Sequence, residues 1–303
     1  MPAPIDSAQN VSAQNVSAPA GSDATTPTAP RLTTDRVRLG YDRVAVADDL
    51  SVEIPDGRVS VIVGPNGCGK STLLRALARL LTPQAGSVVL DGTDISRLST
   101  RDVATRLGIL PQSPLVPDGL LSRDLVARGR HPHQRWFRQW SHADEAAVDA
   151  AMAVTETSEL ADRPVDELSG GQRQRVWIAM ALAQETEILL LDEPTTFLDL
   201  AHQVDVLELL TELNRTRGRT VVLVLHDLNQ ACRYADHVVV MHDGGIAAVG
   251  APAEVITEPL VEKVFGLGVR VVDDPVTGTP MVLPLRRRPA GATQLGAAPD
   301  RPE

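Results

Sequence analysis

Residues 64–72 read Gly64, Pro65, Asn66, Gly67, Cys68, Gly69, Lys70, Ser71 and Thr72. They fit the pattern G-x-x-x-x-G-K-[ST], and the chemistry that pattern performs is phosphate binding. Glycines let successive backbone N–H groups turn inward around phosphate oxygens. A helix opening at Lys70 adds the positive end of its dipole. Lys70 can reach terminal phosphates, and the Ser71 hydroxyl can ligate Mg2+. The chain has only two lysines, Lys70 and Lys263, in 303 residues. A chance match anywhere in it is therefore on the order of one in a thousand. Cys68 lies beside the helix start, a position that lowers a thiol pKa.

Two further clusters invite a chemical reading. Ile188, Leu189, Leu190 and Leu191 run into Asp192 and Glu193. An apolar strand ending in two acids sets carboxylates at the edge of a parallel sheet where ligands bind. Asp192 can hold Mg2+, and Glu193 is then available to orient or deprotonate water. Leu168, Ser169, Gly170, Gly171 and Gln172 form the second cluster. Ser169 can cap a helix. Two glycines in its first turn cost roughly 1 kcal/mol each relative to Ala, a cost that close approach of an anion would explain.

The elements that must carry these residues can be read from apolar runs. Val59–Val63, Leu107–Leu110, residues 188–191 and residues 220–225 read as strands. Residues 70–81, 144–157, 171–184 and 202–217 read as helices. Fully apolar strands that alternate with helices indicate an α/β protein with a parallel sheet covered on both faces. Residues 32–54 alternate less regularly and contain turn signals, which suits an antiparallel β layer. Residues 1–30, with the unit SAQNV repeated at 7–11 and 12–16, and residues 286–303 are poor in large apolar side chains. Both are expected to be disordered, the run Arg286 to Arg288 forming a solvated end.

The formal net charge of −10 argues against nucleic acid as the main partner. Two cysteines, Cys68 and Cys232, suit a reducing cytosol. No apolar run approaches the length of a membrane span, and the N-terminus lacks the basic and apolar regions of a signal peptide.

In that order, residues 64–72, 168–172 and 189–193 resemble the Walker A, signature and Walker B elements of ABC ATPases. Gln112 resembles the Q-loop glutamine, Asp199 the D-loop aspartate, His226 the switch histidine, and Tyr41 the aromatic that stacks on adenine. The resemblance spans about residues 32–285. It implies an ABC ATPase fold: a phosphate-loop parallel-sheet core, an antiparallel β layer and an inserted α-helical subdomain at about 113–168, all within residues 31–285. It also implies ATP and Mg2+ as cofactors. Ser71, Gln112 and Asp192 would serve the metal, and Glu193, His226 and Gln112 catalysis. Tyr41, Gly64 to Thr72, Ser169, Gly170, Gly171, Gln172 and Asp199 would hold nucleotide. In the family the signature of one subunit closes on the ATP of another, which implies a head-to-tail dimer.

The stretches 129–134, 136–141, 143–145, 164–171, 226–234 and 273–280 resemble the ATPase subunits of ferric-siderophore importers, of the ferric-enterobactin type. Vitamin B12 and haem importers are near relatives, so the cargo stays open among these. The implied partners are a second copy, membrane permease subunits and, indirectly, a substrate-binding lipoprotein. The implied location is the cytoplasmic face of the membrane. Trp136 and Trp140 lie four residues apart. They could share a helix face, either packing locally or buttressing the permease-docking surface.

Overall fold

The computed structural model describes residues 30–42, 44–112, 117–134, 140–196 and 198–285. The terminal stretches expected to be disordered therefore lie, apart from Pro30, outside the described residues, as does Trp136. In chain order the elements are β1 (Leu32–Tyr41), β2 (Val44–Ile54), β3 (Val59–Val63), α1 (Lys70–Leu77), β4 (Ala85–Leu90), β5 (Thr93–Asp94), α2 (Thr100–Ala104) and β6 (Leu107–Leu110). There follow α3 (Ser122–Ala127), α4 (His142–Val154), α5 (Gly170–Ala183), β7 (Ile188–Asp192), α6 (Leu200–Arg217), β8 (Thr220–Val224) and α7 (Leu228–Tyr234). The chain continues through β9 (His237–His242), β10 (Gly245–Gly250), α8 (Pro252–Val255), α9 (Glu258–Phe265), β11 (Val269–Asp273) and β12 (Pro280–Pro284).

The main sheet has the order β10-β9-β3-β8-β7-β6. Its strands β9, β3, β8, β7 and β6 are parallel, and β10 closes the edge antiparallel to β9. A strand sends alternate side chains to opposite faces, and here each face meets its own core. Val61, Leu189, Leu191, Leu223 and Val240 pack with α3 to α6 residues such as Leu125, Val148, Ile178 and Leu207. Ile62, Ile188, Leu190, Val222 and Val239 face the other way, onto α1 and the antiparallel layer β2-β1-β4-β5 through Leu73, Leu74, Leu39 and Leu50. Burial on both faces explains why these strands are continuously apolar. Each fully buried aliphatic side chain contributes roughly 1.5–3 kcal/mol.

Several boundaries differ from the sequence reading for local reasons. Helix α1 stops at Leu77, not residue 81, because Arg79 turns left-handed and the Leu80 amide bonds back to the Arg75 carbonyl at 2.8 Å. Helix α4 starts at His142 because Ser141 and Asp144 form a reciprocal capping box. It ends at Val154, where Glu156 is left-handed and the Thr157 amide reaches the Met152 carbonyl. Trp140 precedes the cap Ser141 and is outside the helix, so it lacks the helix face expected for it.

The helical insert is tied to α5 by residues of the stretch 129–134. A Cβ on Gly129 would stand 2.2 Å from the Met180 carbonyl oxygen, so only glycine permits that approach. Arg130 Nε donates to Asp144 at 3.0 Å, and its Nη1 donates to the Ala183 carbonyl at 2.7 Å. The chain end of α5 and the start of α4 are thereby clamped around one buried guanidinium.

The candidate nucleotide site

Four parallel strands, β3, β6, β7 and β8, end at the same edge of the sheet, and each delivers part of the site. The loop after β3 wraps into α1. Gly69, with φ 103°, takes the cap position, a backbone conformation that glycine adopts without strain. No side chain caps this helix, so its first N–H groups remain available as donors to an anion. Gly64 also has a left-handed φ, and a Cβ there would stand 2.3 Å from the Met241 carbonyl oxygen. The loop therefore lies flush on the end of β9.

A cleft of about 540 Å3 opens over this loop. It is lined by Asn66, Gly67, Gly69, Lys70, Ser71 and Thr72 from the loop and α1, by Gln112, Glu193 and His226 from the other strand ends, and by Val46 from β2. Lys70 is buried, and its Nζ donates to the carbonyls of Gly64 at 2.9 Å and Pro65 at 3.0 Å. Those bonds hold the ammonium over the loop.

Glu193, 9% exposed, is the centre of a convergent network. His226 Nε2 lies 2.5 Å from its Oε1. Gln112 Nε2 and Thr196 Oγ1 both donate to its Oε2, the latter at 3.1 Å. Its backbone is left-handed at φ 53°, a strain on the order of 1 kcal/mol that aims the carboxylate sideways from the strand end.

Asp192 completes β7 and is buried. Burial pushes its carboxyl above the usual range, and the Ser71 hydroxyl, which donates to Oδ1 at 2.8 Å, opposes that shift. Ser71 and Asp192 make a small oxygen-rich pair, and Gln112 lines the same cleft as Ser71. Among the described residues no group of three or more His, Cys, Asp and Glu side chains could hold a metal alone. This set suits Mg2+, which takes one or two protein oxygens and completes its shell with phosphates and water.

The remaining residues singled out by sequence lie outside the cleft lining. Tyr41 ends β1, is 43% exposed, and its hydroxyl accepts from Arg75 Nη1 at 3.2 Å. Ser169 caps α5: its Oγ accepts from the Gln172 amide, and the Gln172 side chain accepts from the Ser169 amide. Gly170 and Gly171 occupy the first turn of α5, as expected. Asp199 caps α6. Cys68 corrects an expectation: it is buried beneath the loop, and burial pushes its thiol pKa up while the nearby Lys70 charge only partly offsets this. Val46 and Thr196 were not legible as site residues. An aliphatic side chain on a β layer carries no chemical signal, and Thr196 matters only because Glu193 turns back toward it.

A family model described as ABC transporter matches residues 47–196. The ferric enterobactin transport ATP-binding protein of Escherichia coli (strain K12) is 56% identical over 85% of this chain and 95% of its own length. The achromobactin transport ATP-binding protein of Dickeya dadantii (strain 3937) is 57% identical over 84% of this chain and 95% of its own. A bacterial ABC transporter cassette solved as a dimer superposes with a TM-score of 0.65 at 28% identity, covering 73% of this chain and 98% of the other. Identity at this level extends well beyond the three short motifs, and it assigns the chain to the ABC transporter family, as an ATP-binding and ATP-hydrolysing member.

Proposed function

We propose that this chain powers import of a ferric siderophore through a separate membrane permease. The observation that carries the hydrolytic part is the position of Glu193, held by His226, Gln112 and Thr196 at the mouth of a phosphate-binding loop. The cargo is inferred from the names of the two relatives above, both of siderophore transport. Among the described residues no helix is long and apolar enough to cross a membrane. Translocation then needs permease subunits, with a substrate-binding lipoprotein supplying the chelate. The working place is the cytoplasmic face of the membrane.

In this reading the loop amides and Lys70 hold the β- and γ-phosphates of ATP. Tyr41, exposed at the end of β1, would stack on adenine. Glu193 accepts a proton from a water as that water attacks the γ-phosphorus. The bond to the bridging oxygen breaks, and ADP and phosphate leave. His226 orients the Glu193 carboxylate and can hydrogen-bond the γ-phosphate. Ser71, Asp192 and Gln112 would hold Mg2+, which would neutralise phosphate charge. Ser169 to Gln172 and Asp199, which do not line their own chain's cleft, would close on the ATP of a second copy in a head-to-tail dimer. Residues 31–285 form the ATPase domain, and about 113–168 the helical subdomain that meets the permease.

Reconstitution with the permease and binding protein tests this. ATP-dependent uptake of a ferric siderophore is the expected result. Uptake of vitamin B12 or haem with no ferric siderophore would overturn the cargo and leave the ATPase standing.

A further inference from the structure

The first turn of α6 carries two side chains that join three elements of the site. His202 Nδ1 lies 2.6 Å from Asp199 Oδ1, and the same oxygen accepts the His202 amide at 3.0 Å. The imidazole also fills the space beside Gly171, where an added Cβ would stand 2.7 Å from His202 Cδ2. One ring thus touches both the start of α5 and the cap of α6. Its neighbour Gln203 donates from Nε2 to the Leu198 carbonyl at 2.9 Å and accepts from Gln230 Nε2 at 2.7 Å. Gln230 sits in the first turn of α7, whose cap Asp227 directly follows His226. The link from Gly171 through His202 and Gln203 to Gln230 is continuous.

We infer that His202 and Gln203 are positioning residues: a brace that moves the start of α5, the loop of Leu198 and Asp199, and the helix after His226 as one unit. The inference rests on the proposed dimer, in which Ser169 to Gln172 meet nucleotide held by a second copy. The physical reason is geometric. None of the α5 residues, Leu198 or Asp199 lines the cleft of their own chain, so the relative position of α5 and Asp199 matters most when a second molecule must be met by both together. Misplacement by about 1 Å can cost on the order of a hundredfold in rate. Aligning the two elements by a charge-assisted hydrogen bond and a close ring contact would limit such misplacement. Glycine at position 171 fits the same demand, since a side chain there would displace the ring.

The test uses the full chain. His202→Ala should leave ATP affinity and the unfolding midpoint unchanged, because His202 lines no part of the cleft and is partly exposed. It should lower kcat by about tenfold. In a Glu193→Gln background it should weaken ATP-induced dimerisation, read by light scattering. His202→Asn keeps a donor near the Nδ1 position and should recover most of the lost kcat. Equal kcat in His202→Ala and wild type would overturn the brace, as would a fall in ATP affinity that matches the fall in kcat. A Glu193→Gln chain that stays monomeric with ATP would instead sink the dimer reading on which the brace depends.

Discussion

Glu193 Oε1 and His226 Nε2 lie 2.5 Å apart, although the two residues follow different strands, β7 and β8. The parallel register of those strands, which pairs Asp192 with Val224, makes the meeting possible. One partner is nearly buried and the other is 45% exposed at its side chain. The carboxylate is thus fixed from the protein side while the imidazole borders the space a phosphate would enter.

Glu193→Gln should keep ATP bound and reduce hydrolysis by roughly a thousandfold, the scale of a lost general base. Lys70→Ala should instead weaken ATP binding by at least about tenfold, since it removes the charge that faces the phosphates. Phosphate release and a fluorescent ATP analogue separate the two. Wild-type turnover in Glu193→Gln would reject Glu193 as the base.

Cys68 should react slowly with thiol reagents in the folded chain. Its neighbourhood holds two opposed influences, the helix start with Lys70 and burial, and burial prevails. Cys232 is fully buried and its thiol is pushed up to about 11. A titration with an aromatic disulfide at pH 8 should show both thiols reacting at least about tenfold slower than in denaturant. Fast loss of ATP binding on modification of the native chain would mean that the loop opens readily.

Much of this site can be read from the chain because its parts are local. The phosphate loop, the acids at the end of β7 and the capping box at Ser169 each occupy fewer than ten consecutive residues, and each rests on backbone rules that act over one turn. What stays hidden depends on pairings across the fold. The bond from Thr196 to Glu193 needs the left-handed turn at Glu193, and Val46 reaches the cleft only because β2 passes beside Gly69 of the phosphate loop. The helix ends were displaced for a similar reason. Left-handed Arg79 and Glu156 stop α1 and α4, and neither residue type announces that conformation. The placement of Cys68 under the loop likewise depends on Gly64 lying flat on β9.

Arg130→Met should destabilise the chain by on the order of 3 kcal/mol, because it leaves Asp144 buried without its cation. The pH dependence has a definite sign. The Ser141 hydroxyl first, then Arg130, hold the Asp144 carboxyl below its usual range. Its contribution is present at neutral pH and is lost as pH falls through the folded pKa, which lies below the usual carboxylate range. Urea unfolding should therefore show a large gap between wild type and Arg130→Met at pH 7 and a narrower one in acid. An equal gap at both would place the loss in the Ala183 carbonyl bond, not in the ion pair.

Gln112 is the residue whose loss should separate transport from nucleotide binding. It follows β6, donates to Glu193 and lines the cleft, and the chain leads from it into the helical insert. A change at the γ-phosphate that moves Glu193 would also move or release Gln112, the residue bonded to it. That is a hinge of the kind that ligand switches use. Gln112→Ala keeps Lys70, Ser71 and the loop amides, so ATP affinity of the isolated chain should stay within about threefold. In the reconstituted permease complex, uptake of ferric siderophore should fall by at least about tenfold, and the permease should no longer accelerate hydrolysis. The rival reading makes Gln112 a spectator at a strand end, and it forecasts uptake at the wild-type rate. Measuring uptake, affinity and the hydrolysis rate of the isolated chain on the same preparation decides between them, because a coupling residue lowers the first while sparing the other two, whereas loss of a catalytic group lowers hydrolysis as well.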